Sequence, residues 1–237
     1  MVKGIESFKE WFRGFEDNYV VIGGTACDLL LGEAGQAFRG TRDIDMVLIV
    51  EHLTAEFGAR LWEYIKMGGY KQRVKSTGTP EYYRFMKPIS LEYPSMIELF
   101  SRRAEGITLP PDAVLTPLPV DDEISSLSAI LLDDTYYSFM RAGITMSEGI
   151  SVLGVAYLIP FKAKAWLDLT ERKVKGQQID SKNIRKHKND IIHLSTILSE
   201  NFSMILPNII EEDMRKFLAN VEEKEKYTRV ATVYNIV

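Results

Sequence analysis

Apolar and polar positions alternate with two periods along this chain, and the change of period sets out its elements. Phe8, Trp11, Phe12 and Phe15 recur at i, i+3, i+4 and i+7, which predicts an amphipathic helix over residues 7–15. The apolar run 19–22 stops at Gly23-Gly24-Thr25 and reads as a strand, with a helix over 26–31 behind it. A second strand is expected over 43–50, entered through Thr41-Arg42-Asp43-Ile44-Asp45. Residues 54–67 again carry the helical period, with Thr54 as N-cap and Gly68-Gly69 as the stop. Three β-like runs follow, over 69–74, 82–86 and 95–100.

Proline clusters at Pro110, Pro111, Pro117 and Pro119, so 106–122 reads as loop. Residues 124–133 with 135–140 fit either a hairpin or a strand–turn–helix, and 143–154 a further turn or strand. From Val152 the pattern turns helical. Pro160 is tolerable only near the first turn of a helix, because it lacks the N–H and crowds the preceding turn. Residues 173–181 form a polar connector, Asp180 or Ser181 caps a helix over 182–199, and a last helix is expected over 211–226. Helix–strand alternation followed by strands and then helices predicts an α+β (α/β) fold: a mixed sheet flanked by helices over 1–145 and a helical C-terminal lobe over 146–237.

Hydrophobic residues are 46% of the 237, enough for a sizeable core. The net charge of −4 argues against a globally basic nucleic-acid binder but leaves room for a local basic patch. The single cysteine, Cys27, cannot form an internal disulfide and is expected as a buried apolar residue, consistent with a cytoplasmic location. The N-terminal stretch does not resemble a signal peptide, and no apolar run approaches the roughly 20 residues of a membrane span.

The candidate chemistry lies between Tyr19 and Val50. Residues two apart on a strand share a face, so Asp43 and Asp45 project together. Paired carboxylates repel unless a cation sits between them, and Mg²⁺ (or Mn²⁺) suits such hard oxygen ligands. Gly23 and Gly24 allow close backbone approach, and the following helix N-terminus favours phosphate. Together these describe a nucleoside triphosphate (NTP) site, with Thr25 adding a hydroxyl. Glu98, inside the apolar run Met96-Ile97-Glu98-Leu99-Phe100, is the candidate third carboxylate and base. Lys162 and Lys164 lie two apart on a helix, so at most one points inward, and a lysine among these apolar residues either snorkels to solvent or reaches for an anion. Lys182, Arg185, Lys186, His187 and Lys188 form a basic stretch, with Lys186 and Asp190 at i, i+4. His52, His187 and His193 do not have the spacing of a zinc site.

Gly23-Gly24 followed by Asp43-x-Asp45 on the next strand resembles the signature of the polymerase-beta-like nucleotidyltransferase superfamily. The version GGTA…RGTRDIDM is most similar to AbiEii-type toxins of abortive-infection and toxin–antitoxin systems. The resemblance covers most of the chain and is firmest over Tyr19–Val50. It departs from the usual pattern in Thr25 where Ser is commoner, in a longer Gly24-to-Asp43 spacing, and in Asn189 beside Asp190.

The resemblance implies Mg²⁺-dependent transfer of a nucleoside monophosphate (NMP) from an NTP to an acceptor, RNA or specifically tRNA, and a cognate antitoxin as partner. It carries over Lys162 (Lys164 in reserve) as a triphosphate contact and Asp190 as a further catalytic residue. Two other functions fit parts of the sequence. A catalytically silent nucleotide-binding regulatory protein would keep the same site without turnover. A dinucleotide-binding oxidoreductase would use an acid about 20 residues after the glycines, where Asp43 lies. It would require G-x-G-x-x-G, which is missing, and gives Asp45 no role.

Overall fold

The computed structural model describes residues 2–74, 80–101, 130–131 and 133–236. Its strands are β1 (Tyr19–Ile22), β2 (Asp43–Leu48), β3 (Lys71–Val74), β4 (Pro80–Met86), β5 (Met96–Phe100), β6 (Ile144–Ser147) and β7 (Ile150–Leu153). They form one mixed sheet in the order β3-β4-β5-β2-β1-β7-β6. The β2–β5 and β1–β7 pairs are parallel and the others antiparallel. The fold is the mixed α/β arrangement that the alternation of periods predicts.

The register shows where the core sits. Ile44, Ile97 and Phe85 stand side by side on β2, β5 and β4, each fully buried. Helices α1 (Ile5–Trp11) and α3 (Ala55–Met67) add an aromatic layer. Phe57 stacks with Tyr19 at 6.4 Å between ring centroids, Phe8 meets Tyr19 edge-on at 5.5 Å, and Trp62 meets Phe85 at 6.0 Å. Burying each of these rings is worth roughly 2 kcal/mol. Thr54 caps α3 by accepting from the Phe57 N–H at 3.1 Å, and Gly68 ends it. On β1, Tyr19, Val20, Val21 and Ile22 are all buried, as expected of a strand with neighbours on both sides.

Several element bounds differ from expectation for local reasons. α1 ends at Trp11 and passes into a turn in which Gly14 takes φ +87, yet Phe12 remains fully buried. The first glycines belong to helix α2 (Gly23–Glu33). β2 stops at Leu48, and Val50–His52 forms a 3₁₀ turn. Residues 135–140 lie in helix α4 (Asp134–Ala142), capped by Asp133, whose Oδ1 accepts from the Thr135 and Tyr136 N–H groups. The loop expected over 106–122 lies outside the described residues, as does most of 124–133.

Val152 and Leu153 finish β7 instead of opening a helix, and α5 (Val155–Val174) begins after Gly154. Pro160 lies inside α5, beyond the first turn. Its missing N–H deprives the Ala156 carbonyl of its helical donor. The Tyr234 hydroxyl donates to that carbonyl instead, at 2.6 Å, and burial raises the Tyr234 pKa well above the usual phenol value. α6 (Ser181–Ser195) is capped by Asp180, which accepts from the Lys182 N–H at 2.8 Å. The single helix expected over 211–226 is instead α7 (Asn208–Asn220), a break with Glu223 at φ 54, a 3₁₀ turn over Lys224–Tyr227, and α8 (Thr228–Val233).

The chain divides into two compact units. Of the described residues, the first unit holds 2–74, 80–101 and Ile144–Leu153, and the second holds 130–131, 133–143 and 154–236. A single cut near residue 145 does not describe this division. α4 belongs to the second unit, while the hairpin after it returns to the first, where Val152 pairs with Val21 and adds β7 to β1.

Candidate functional site

The turn from β1 into α2 is built around a missing side chain. Gly23 has φ +71, a conformation that L-residues resist. Asp45 lies directly across from Ile22 in the antiparallel register. A Cβ on Gly23 would stand 1.8 Å from Asp45 Oδ2, so the carboxylate rests where a side chain would be. A Cβ on Gly24 would stand 2.8 Å from Thr41 Oγ1 and 3.6 Å from an Arg39 guanidinium nitrogen. The first turn of α2 carries no acidic side chain of its own, so the Asp45 carboxylate complements its positive dipole end.

Thr25, expected to add a hydroxyl to the phosphate seat, spends that hydroxyl's proton on the main chain. Its side chain is fully buried and donates to the main-chain carbonyl of Asp43 at 2.6 Å, tying the helix start to the strand start. Cys27 is buried, with Sγ 3.1 Å from the Gly23 carbonyl, in the structural role expected of it.

Burial along β2 alternates. Asp43 and Asp45 are half-buried while Ile44 and Met46 between and beyond them are fully buried. The two carboxylates therefore share the face opposite the aromatic layer. Glu98 is the direct neighbour of Asp45 on β5, and Arg84 is the direct neighbour of Glu98 on β4. Arg84 Nε donates to Glu98 Oε1 at 2.5 Å, and a terminal guanidinium nitrogen reaches the same oxygen at 2.5 Å.

Glu98 is engaged by a guanidinium, and among the described residues no group of three or more His, Cys, Asp or Glu side chains is arranged to hold a metal ion. Asp43 and Asp45 do fit the sparser form of Mg²⁺ binding, in which one or two carboxylates act with substrate phosphates and water.

In the second unit, neither candidate lysine faces open solvent alone. Lys162 Nζ donates to Asp190 Oδ2 at 2.9 Å, with side chains only 4% and 1% exposed. The sequence offered solvent or an anion for Lys162, and in this structure Lys162 meets a carboxylate of its own chain. A buried ammonium requires such a partner, because desolvation otherwise drives it neutral. The structure thus brings together two of the residues singled out from the resemblance. Lys164 Nζ donates to Asp213 Oδ2 at 2.7 Å, and Tyr136 donates its hydroxyl to the same oxygen at 3.1 Å. Burial first, and then the Asp213 charge, push the Tyr136 pKa up. On α6, Lys182 and Arg185 are exposed while Lys186 and Lys188 are half-buried.

Sequence reasoning missed Arg39, Thr41, Arg84, Asp213 and Tyr136. Arg39 and Thr41 sit in the stretch RGTRD directly before the acids, which was a usable local signal. Arg84 and Asp213 had none, because each meets its partner through strand register or helix packing.

No protein-family model matches this chain, and no curated protein matches it. Among solved structures, that of the antibiotic-resistance factor ANT(2'')-Ia, determined in solution, aligns over 91% of this chain and 91% of its own, at 16% identity and a TM-score of 0.38. The chemistry of the site is read from the residues of this chain.

Proposed function

We propose that this chain is a nucleotidyltransferase that moves an NMP from an NTP to an acceptor hydroxyl. One observation carries the reading: Asp45 lies against the bare Cα of Gly23 at a strand-to-helix turn, with Asp43 on the same strand face. That places two carboxylates beside the backbone of a helix start where phosphate is favoured.

In this reading Asp43 and Asp45 hold Mg²⁺ (or Mn²⁺), which when bound neutralises the polyphosphate and makes the acceptor hydroxyl more acidic. Gly23 and Gly24 bring main-chain N–H groups close to phosphate oxygens. The acceptor oxygen bonds to the α-phosphorus as the bond to the β-phosphate oxygen breaks, and pyrophosphate leaves. The exposed Lys182 and Arg185 of α6 suit an RNA acceptor, tRNA included, through phosphate contacts. The sequence resemblance supports the role of a toxin restrained by an antitoxin. Lys162 and Asp190 act as a buried pair that positions α5 against α6.

The test is incubation of the purified protein with each labelled NTP, Mg²⁺ and total RNA. Label should enter a discrete RNA species with release of pyrophosphate. Asp45→Asn should fold normally and lower transfer by about 10³-fold or more, since a lost electrostatic anchor at a reacting phosphate costs about 4 kcal/mol. Transfer by that variant at the wild-type rate would reject the assignment. A silent nucleotide-binding protein is the second reading, favoured by the engagement of Glu98 with Arg84, which removes the expected base. Mg²⁺-dependent NTP binding without pyrophosphate release across a broad acceptor screen would select it.

A further inference from the structure

We infer that Arg84 is the polyphosphate-binding cation of this site, held in place by Glu98 until substrate arrives. The inference rests on the nucleotide reading above and names a residue which that reading does not use. Residues paired directly across a sheet share a face, so the register alone sets Arg84, Glu98 and Asp45 in one row across β4, β5 and β2. The row ends at Ile22, the residue before Gly23. Adjacent strands lie about 4.8 Å apart, which puts the Arg84 backbone roughly 10 Å from that of Asp45. An extended arginine side chain covers much of that span. The row behind it, Phe85, Ile97 and Ile44, is fully buried, so the polar row is the sheet's other, more open face.

Charge explains why an arginine is needed there. Asp45 and Glu98 are like charges on neighbouring strands, an arrangement that is unfavourable without a counter-ion. Arg84 supplies one. Its side chain is 23% exposed and that of Glu98 13% exposed, so the pair keeps more access to water than the Lys162–Asp190 pair at 4% and 1%. Both nitrogens that reach Glu98 converge on one oxygen, Oε1, instead of spanning the carboxylate fork. A phosphate group offers a guanidinium the bidentate geometry that this contact lacks. Incoming polyphosphate therefore competes with Glu98 for Arg84, and Glu98 acts as a positioning residue, not a metal ligand.

The experiment measures equilibrium binding of each NTP and its matching NMP, with Mg²⁺, to the full chain and to Arg84→Ala, Arg84→Lys and Glu98→Gln, with melting curves alongside. Arg84→Ala should weaken NTP binding by about 10- to 100-fold, the range of a lost charge-assisted hydrogen bond, while NMP binding changes by less than about twofold. Arg84→Lys should recover part of the loss. Glu98→Gln should tighten NTP binding, because the competitor for Arg84 has lost its charge. If Arg84→Ala does not fold, the Arg84→Lys and Glu98→Gln results decide. Equal losses for NTP and NMP, or NTP binding unchanged in Arg84→Ala and Glu98→Gln, would overturn the inference and leave the nucleotidyltransferase reading standing. Failure of the wild-type chain to bind any NTP would overturn both.

Discussion

The two units treat their charges in opposite ways. In the first, Asp43, Asp45, Glu98 and Arg84 are half-buried on one sheet face, next to a turn shaped by the lack of a side chain. In the second, Lys162 and Asp190 are almost fully buried and bonded to each other, and Lys164 shares buried Asp213 with Tyr136. A charge kept near water can exchange partners at small cost, whereas a desolvated one is committed to the partner it has. Half-open charge in the first unit is suited to a ligand, and closed charge in the second is suited to holding helices.

The contrast is most exposed to test at Lys162. Lys162→Met should destabilise the protein by about 3–5 kcal/mol, because the buried Asp190 carboxylate loses the ammonium that Lys162 gives it. The double variant Lys162→Met/Asp190→Leu should recover most of that, as read by urea denaturation. A Lys162→Met protein of normal stability that fails to bind NTP would move Lys162 from the architectural class to the ligand class. In the first unit, Gly23→Ala should cost about 1–3 kcal/mol, for the positive φ and the contact with Asp45. Its larger signature should be loss of NMP transfer, since relieving the contact displaces the carboxylate. Retained transfer in Gly23→Ala would separate Asp45 from the chemistry. The smallest effect concerns a neutral buried pair: Tyr234→Phe removes the donor to Ala156 and should cost about 1 kcal/mol with no change in NTP binding.

Much of the first unit was legible because its signals are local. Alternation in Asp43-Ile44-Asp45-Met46 states which side chains share a face, and the observed burial follows it. Thr54, and Asp180 in the second unit, announce helix starts through hydrogen bonds two or three residues away. The hairpin at Ile144–Leu153 was harder. Val152 and Leu153 run into an apolar helix without a change of composition, and only pairing with β1 separates them. Pro160 misled in a related way. A proline within a helix is disfavoured unless something satisfies the freed carbonyl, and here the donor, Tyr234, lies 78 residues away from Ala156. Glu98 was read as a carboxylate in need of a partner or a metal, and strand register sets the Arg84 guanidinium beside it.

By itself the sequence determined the periods, the caps, the glycine turn and the shared face of Asp43 and Asp45, all of which depend on neighbours within a few residues. Tertiary structure alone decided which charges meet: Arg84 with Glu98, Lys162 with Asp190, Lys164 with Asp213. The physical reason is that an ion pair is settled by strand register, helix packing and local desolvation, and none of these is written in the spacing of the residues that form it.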